Sequence, residues 1–265
     1  MNNNIFIYKT EEEKDYFRKA GKLAANVLEE VCKAVKPGIS TLDLDILAET
    51  WIKDHGAIPT FKGYLGFPST LCTSVNHEVV HGIPNNKKIL QAGDIISIDV
   101  GVTLMGLVNG QEFKFVGDNA RTVPVGEIPE KTAELLAYTK AGLEAGIEAS
   151  LKGNKISDIA KAIEKVAKSK GYGLVRDFGG HGIGPEYHSA PFIPNYTDYF
   201  TLYGDSEIKE GMILAIEPMF NLGVSDIRKL KDNWTIVTKD NKNSAHFEHS
   251  ILITDGKPEI LTMPD

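Results

Sequence analysis

Residues 92–100 read AGDIISIDV, and residues 210–218 repeat the pattern as EGMILAIEP. In each stretch a glycine is followed six residues later by an acid that interrupts an apolar run, Asp99 in the first and Glu217 in the second. Short apolar runs bounded by turn-forming residues are typical of buried β-strands. We therefore interpret the two stretches as corresponding strands of a duplicated unit, each with one acid at the same position.

Other positions recur in the same order, which is the pattern expected of an internal repeat. Five residues return 115 positions later: Gly38, Asp43, Leu44, Glu49 and Gly56 correspond to Gly153, Asp158, Ile159, Glu164 and Gly171. We expect one domain over residues 1–265, with an α+β fold whose halves, about 10–128 and 129–262, are related by a pseudo-two-fold axis. The halves would share one central sheet, and a site between them would take ligands from both.

Each half is predicted to contain two helices followed by strands. Helices are expected over about 10–36, 41–55, 130–151 and 157–170, with Thr10 and Ser157 as the first and last N-caps. Residues 58–128 and the part of the chain after Gly171 have short apolar runs broken by Gly, Pro and Asn, which favours strands.

The composition is that of an ordinary globular protein, with 42% hydrophobic and 25% charged residues. The net charge of −7 and the pI of about 5.6 argue against nucleic acid or a membrane surface as the main partner. No signal peptide and no membrane span are expected, because no apolar run approaches the length required. Cys32 and Cys72 are expected to be free thiols, although one disulfide between them is formally allowed.

Three acids interrupt apolar runs that otherwise predict buried strands: Asp99, Glu217 and Glu248. A buried carboxylate must be paired, protonated or bound to a cation, since burying it alone is costly. For any one of the three, an edge strand with one polar face is an alternative explanation. Asp118 lies in the sequence GDN, which by itself predicts a turn residue.

Carboxylates gathered with one or two histidines and without a thiolate suit Mn, Fe, Co or Zn. Several such carboxylates favour a two-metal site and metal-assisted hydrolysis. The candidate histidines are His81, His181 and His188, which lie in Gly/Pro-rich segments beside predicted strands; His81 and His181 each begin an HGI triplet. The pattern leaves metal binding, acid–base catalysis and packing open for each of them. The segment GGHGIG lacks the order and the following lysine of a phosphate-binding loop.

The ordered segments HGIP, DIISIDV, GDNARTVPVG, GGHGIGPEYHSAPFIPNY, ILAIEPMF and SAHFEHSILIT, between about residues 10 and 262, resemble the type I methionine aminopeptidases. This resemblance implies the pita-bread fold and a dinuclear metal centre. It implies that Asp118 and Glu248 bridge two ions, that Asp99 binds one ion, and that His181 and Glu217 bind the other. A metal-bridging water or hydroxide would attack the scissile carbonyl, with Glu217 as the proton shuttle.

By the same resemblance, His81 and His188 contact the scissile amide and its developing oxyanion, a role that suits hydrogen-bond donors. A methionine pocket is expected to be lined by Tyr64, Phe67, Cys72, Tyr187 and Trp234, although core packing is the alternative for these residues. The implied activity is that of a cytoplasmic methionyl aminopeptidase, which removes the initiator methionine from nascent proteins when the second residue is small. The implied partners are N-terminal Met peptides and, transiently, the ribosome; a monomer without membrane or nucleic-acid specificity is expected.

The chain departs from the type I pattern in three ways. Asp99 and Asp118 are 19 residues apart, about eight more than is typical, which predicts an extended hairpin turning at Asn109-Gly110. Leu65 makes the cleft rim more apolar, and no N-terminal zinc-finger extension is expected.

Four alternative classes of protein with this fold fit the sequence less well. Proline-specific relatives usually carry a large N-terminal domain, whereas about ten residues precede the first predicted helix here. Type II methionine aminopeptidases carry a helical insertion for which the interval from His188 to Glu217 leaves no room. Creatinase-like relatives and non-catalytic binding proteins of this fold lose ligands that this chain keeps.

Overall fold

The computed structural model describes residues 2–265 of the chain. Four long helices occur in two pairs, one in each half, and none of the helices in these residues is long and apolar enough to cross a membrane. The helices are α1 (Glu11–Ala34), α2 (Thr41–Asp54), α3 (Glu130–Ala149), α4 (Ile156–Lys170) and the short α5 (Phe200–Tyr203), with one 3-10 turn at Tyr64–Gly66.

The helix starts follow local capping chemistry. Thr10 and Ser40 each accept a hydrogen bond from the backbone N–H three residues on, and the acidic side chain there bonds back to the cap. The prediction that Ser157 caps α4 is wrong. The backbone N–H of Lys155 donates to Asp158 Oδ2 at 2.9 Å, so the helix begins one residue before the serine.

Sixteen strands are found among the described residues. They are β1 (Asn2–Ile5), β2 (Ile58–Pro59), β3 (Leu71–Val75), β4 (Glu78–Val80), β5 (Ile95–Val108), β6 (Gln111–Pro124), β7 (Gly173–Leu174), β8 (Gly180–Gly182), β9 (Ser189–Ile193), β10 (Ile213–Ile216), β11 (Met219–Asn221), β12 (Ile227–Lys229), β13 (Ile236–Thr238), β14 (Ser244–His246), β15 (Glu248–Leu252) and β16 (Glu259–Ile260).

Ten strands form one central sheet in the order β1-β9-β8-β10-β15-β6-β5-β2, with β16 added to β15 and β3 added to β5. Within this sheet, the two halves of the chain meet where β6 pairs antiparallel with β15. Two three-stranded sheets, β14-β11-β7 and β12-β13-β4, lie beside it. The predicted α+β class and the shared central sheet are confirmed.

Three apolar clusters lie between this sheet and the helices; one contains residues of both halves, and the other two each belong to one half. One joins α1 and α2 to β5 through residues such as Leu28, Leu44 and Ile98, all from the first half of the chain. The other joins α3 and α4 to β10 through residues such as Leu143 and Ile216, all from the second half. Each half therefore has an apolar cluster of its own. That the two halves arose by duplication stays a prediction.

The longest strands, β5 and β6, form one hairpin that is paired without interruption from Ile95 opposite Pro124 to Val108 opposite Gln111. The turn is at Asn109-Gly110, as predicted, and both residues have positive φ (50° and 78°), as a type I′ turn requires. The far end packs on α1, where Tyr16 stacks on Phe115 with ring centroids 4.7 Å apart. The extension therefore covers a helix on the back of the sheet.

Candidate metal centre and substrate cleft

The hairpin register brings the first two acids to one face of the sheet. Asp99 of β5 is paired with Ala120, and Asp118 of β6 is paired with Gly101, two residues away. Paired residues of an antiparallel ladder point to the same face, so both carboxylates lie on it. Asp118 is in the middle of a strand and only 1% exposed, so its interpretation as a turn residue is wrong.

The second half of the chain supplies the remaining groups. Glu248 begins β15 and is paired with Ala120, whereas His181 of β8 is paired with Ala215 of β10, two residues before Glu217. His181 Nε2 is 3.6 Å from Asp118 Oδ2 and 3.8 Å from Glu217 Oε1. Donor atoms of Asp118, His181 and Glu248 all lie within 4.8 Å of one another. All five predicted ligands are thus brought to one place.

The electrostatics of this cluster favour a cation. Burial, together with neighbouring carboxylates, raises the pKa of Asp99 and Glu248 well above their usual values. Burial also raises the pKa of Glu217 to about 8. Burial alone would lower the pKa of His181, but Asp118 and Glu217 raise it overall. The fold has therefore concentrated carboxyl groups where water cannot stabilise their negative charge, and a bound cation would stabilise it.

Three buried carboxylate oxygens in the cluster lack a hydrogen-bond donor among the described residues: Asp99 Oδ1, Asp118 Oδ1 and Glu248 Oε1. Leaving such atoms unsatisfied is costly, and buried charges are normally paired or bound to metal. Oxygen donors from four carboxylates with one imidazole nitrogen and no thiolate are a suitable set for Mn, Fe, Co or Zn. The residues present therefore fit a divalent metal site.

His81 and His188 line the same cavity of about 240 Å³ as the acids. Burial lowers the pKa of His81 to about 4 and that of His188 to about 2, so both imidazoles are neutral at pH 7. His188 Nδ1 is 3.0 Å from the hydroxyl of Tyr64, and its ring centroid is 4.4 Å from that of His181. His81 and His188, which were predicted to contact the substrate, thus lie beside the acids but outside the group formed by Asp118, His181 and Glu248.

A smaller pocket of about 130 Å³ opens beside the acids and contains all five residues predicted to bind methionine. Phe67 and Trp234 pack edge to face with centroids 5.1 Å apart. Burial raises the pKa of the Cys72 thiol well above its usual value, so it stays neutral. Leu65 is 79% exposed at the rim, in line with the more apolar rim expected.

Two further aromatic residues of this region were not predicted from the sequence. Phe61 is buried in the smaller pocket, three residues before Tyr64, and Phe192 lines the cavity of the acids. The signal for Phe61 was its position in the same segment as Tyr64. Phe192 had no local signal, since its place depends on its pairing with His181 across β8 and β9.

A cleft of buried carboxylates and imidazoles in the seam of a two-halved α+β fold defines a metal-dependent hydrolase. The sequence profile of the family described as "Metallopeptidase family M24" matches residues 15–255. The chain belongs to this family and, within it, to the methionine aminopeptidases.

Similar proteins support the assignment to the methionine aminopeptidases. A methionine aminopeptidase of Clostridium acetobutylicum is 44% identical over 259 residues, which cover 98% of this chain and 99% of that protein. The crystal structure of methionine aminopeptidase from Thermotoga maritima matches with a TM-score of 0.90 and 40% identity, covering 98% of this chain and 100% of that one. A prolidase from Pyrococcus horikoshii, at 21% identity and a TM-score of 0.76, shares the fold, and this chain covers 64% of it.

Proposed function

We propose that this enzyme removes the initiator methionine from nascent proteins whose second residue is small. The observation that supports this most directly is the position of the apolar pocket, which opens onto the acidic cluster. Tyr64, His81, Asp99, Tyr187 and His188 line both cavities. A thioether side chain held in the pocket would place the first peptide bond beside the cluster.

We further propose that the cluster holds two divalent ions of Mn, Fe, Co or Zn. Asp99 would bind one ion and His181 with Glu217 the other, while Asp118 and Glu248 would bind both. Bound metal would supply Lewis acidity and lower the pKa of water to near neutrality. The unpartnered oxygens of Asp99, Asp118 and Glu248 support this assignment.

The two histidines outside the cluster would act on the substrate as hydrogen-bond donors. The hydroxyl of Tyr64 can donate to His188 Nδ1, which leaves the proton of this neutral imidazole on Nε2. His81 is also neutral at pH 7. Donation from these rings would stabilise the negative charge that develops on the carbonyl oxygen of the scissile bond.

Glu217 would transfer the proton. Its carboxyl group faces the same cavity as Asp99, Asp118 and Glu248, where it can take up and release a proton. We assign to it the uptake of a proton from the attacking water and its delivery to the amine of the leaving chain. The same carboxylate would also contribute one ligand oxygen.

The proposal extends to the setting of the enzyme. A single catalytic domain of two halves, about 10–128 and 129–262, would act as a cytoplasmic monomer on the N-terminal Met of nascent chains. Contact with the ribosome would be transient. Direct nucleic-acid specificity is not expected at a net charge of −7.

Release of methionine from Met-Ala-Ser tests the proposal, with a proline-containing dipeptide as the competing substrate. The purified protein should release methionine after incubation with at least one of Mn²⁺, Fe²⁺, Co²⁺ or Zn²⁺, and a chelator should abolish release. Failure with every metal would contradict the proposal. Preferential cleavage of the proline peptide would favour a prolidase instead.

A further inference from the structure

A second imidazole lies against Glu217, beside the carboxylate oxygen that does not face His181. His246 ends β14 and is 2% exposed, and its Nε2 is 3.4 Å from Glu217 Oε2. The other oxygen, Oε1, is 3.8 Å from His181 Nε2. The carboxylate of Glu217 therefore lies between two imidazoles, one beside each oxygen.

His246 Nε2 is buried and makes no regular hydrogen bond to the described residues. A buried donor or acceptor without a partner costs about 1–3 kcal/mol. Glu217 Oε2 is the carboxylate oxygen within 4 Å of this nitrogen. A hydrogen bond between them therefore requires only a small adjustment of either side chain.

The backbone fixes both partners. The N–H of His246 donates to Thr122 Oγ1, and the same hydroxyl donates to the carbonyl oxygen of His246, each at 2.8 Å. His246 is paired with Met219, two residues after Glu217. The side-chain amide of Asn195 donates to the carbonyl oxygen of Glu217 at 3.2 Å. The backbone that carries each side chain is therefore held in place before any ligand binds.

We propose that His246 is a positioning residue for Glu217. Its Nε2–H donates to Glu217 Oε2 and fixes the rotation of the carboxylate, so that Oε1 is directed toward His181 and the cluster. Residues that hydrogen-bond to a metal ligand orient that ligand and raise the affinity for the metal. His246 itself lies outside the tight group formed by Asp118, His181 and Glu248. This inference rests on the proposed metal-dependent function.

Two substitutions separate the hydrogen bond from simple packing. His246→Leu keeps much of the volume and removes the donor, whereas His246→Gln keeps an N–H that can reach Glu217. His249→Leu is the matched control. His249 lies three residues away, on the far face of the sheet, and its Nδ1 is 2.8 Å from Thr262 Oγ1.

The measurements are Mn²⁺ and Co²⁺ affinity of chelator-treated protein by calorimetry, and kcat and KM on Met-Ala-Ser. His246→Leu should weaken binding of one metal equivalent by about 10–100-fold. It should lower kcat while KM stays within about twofold. His246→Gln should restore most of both. His249→Leu should match the wild type in affinity and kcat, whatever its thermal stability.

Wild-type affinity and kcat in His246→Leu would overturn the inference. So would a His246→Gln variant as impaired as His246→Leu, because the restored N–H donor would then have failed to restore metal affinity and kcat. If the leucine variant does not fold, His246→Asn replaces it, since its shorter amide cannot reach Glu217 and should show the same loss. A wild-type protein that neither binds metal nor releases methionine would instead refute the proposed function.

Discussion

Replacing Glu217 with glutamine should change how the stability of the metal-free protein depends on pH. Burial raises the pKa of Glu217 from 4.5 to about 8. Between these values the unfolded chain loses a proton that the folded chain keeps. The folded state thus binds more protons, and the wild-type protein loses stability as pH rises through this window. Glutamine has no proton to lose, so the variant lacks this dependence.

The size of the effect follows from the two pKa values. One pKa unit corresponds to about 1.4 kcal/mol, and two-state linkage then places the cost of Glu217 near 1 kcal/mol at pH 5 and about 4 kcal/mol at pH 8. The difference in unfolding free energy between variant and wild type should therefore move by about 3 kcal/mol in favour of the variant. At this chain length that corresponds to about 6–12 °C in Tm.

Comparing the two proteins cancels the titrations of groups that Glu217 does not influence. Burial lowers the pKa of His81 and His246 to about 4 and that of His188 to about 2, which makes both proteins gain stability as pH rises toward neutrality. These contributions are shared and drop out of the difference. Glu112→Gln, which removes an exposed carboxylate at the end of the hairpin, is the control and should show no such trend.

The assay is urea unfolding of chelator-treated wild type, Glu217→Gln and Glu112→Gln at pH 5, 6, 7 and 8. Wild type with saturating Mn²⁺ should lose most of its pH-dependent cost, because bound cations neutralise the carboxylates. A difference between wild type and Glu217→Gln that stays constant with pH would refute the reasoning. A wild-type protein that becomes more stable relative to Glu217→Gln as pH rises would refute it more strongly.

Three further outcomes are expected. His181→Ala should weaken metal binding by more than about tenfold, whereas His81→Ala should lower kcat and keep its metal, as measured by metal analysis and peptide kinetics; equal metal loss in both would contradict the separate roles. Trp234→Ala should raise KM for Met-Ala-Ser by about tenfold without changing metal affinity, since it removes a wall of the methionine pocket. In urea unfolding, Phe115→Ala should cost about 3–5 kcal/mol because the ring is 2% exposed, and Leu107→Ala, 60% exposed, less than about 0.5 kcal/mol.

Some acids of the candidate metal centre could be predicted from the sequence and one could not. Asp99, Glu217 and Glu248 were predicted to be buried because each interrupts an apolar run. Asp118 could not be identified from its neighbours, since GDN is ordinary turn chemistry while the true turn lies eight residues earlier at Asn109-Gly110. Only the resemblance to known enzymes, and then the register of β5 with β6, placed it on the face of the centre.

Local chemistry was predicted more reliably than contacts between distant segments. The capping boxes at Thr10 and Ser40 are contained within four residues, so the first two helix starts could be found. The contact of His246 with Glu217 depends on the pairing of β11 with β14, which no short stretch encodes. The place of Phe192 depends on β8 and β9 in the same way.

The paired hairpin has a consequence for how this enzyme can vary in length. In an antiparallel ladder, hydrogen-bonded and non-hydrogen-bonded pairs alternate, and a two-residue turn closes on one kind only. A hairpin that keeps its Asn-Gly turn can therefore grow or shrink only by two residues on each arm, four in total. The extension of about eight residues that the resemblance to the type I family implies equals two such steps. Asp99 and Asp118 are farther from the turn than the added pairs, so a change in hairpin length leaves their positions unchanged. We therefore expect the lengths of natural variants of the hairpin to differ by multiples of four residues.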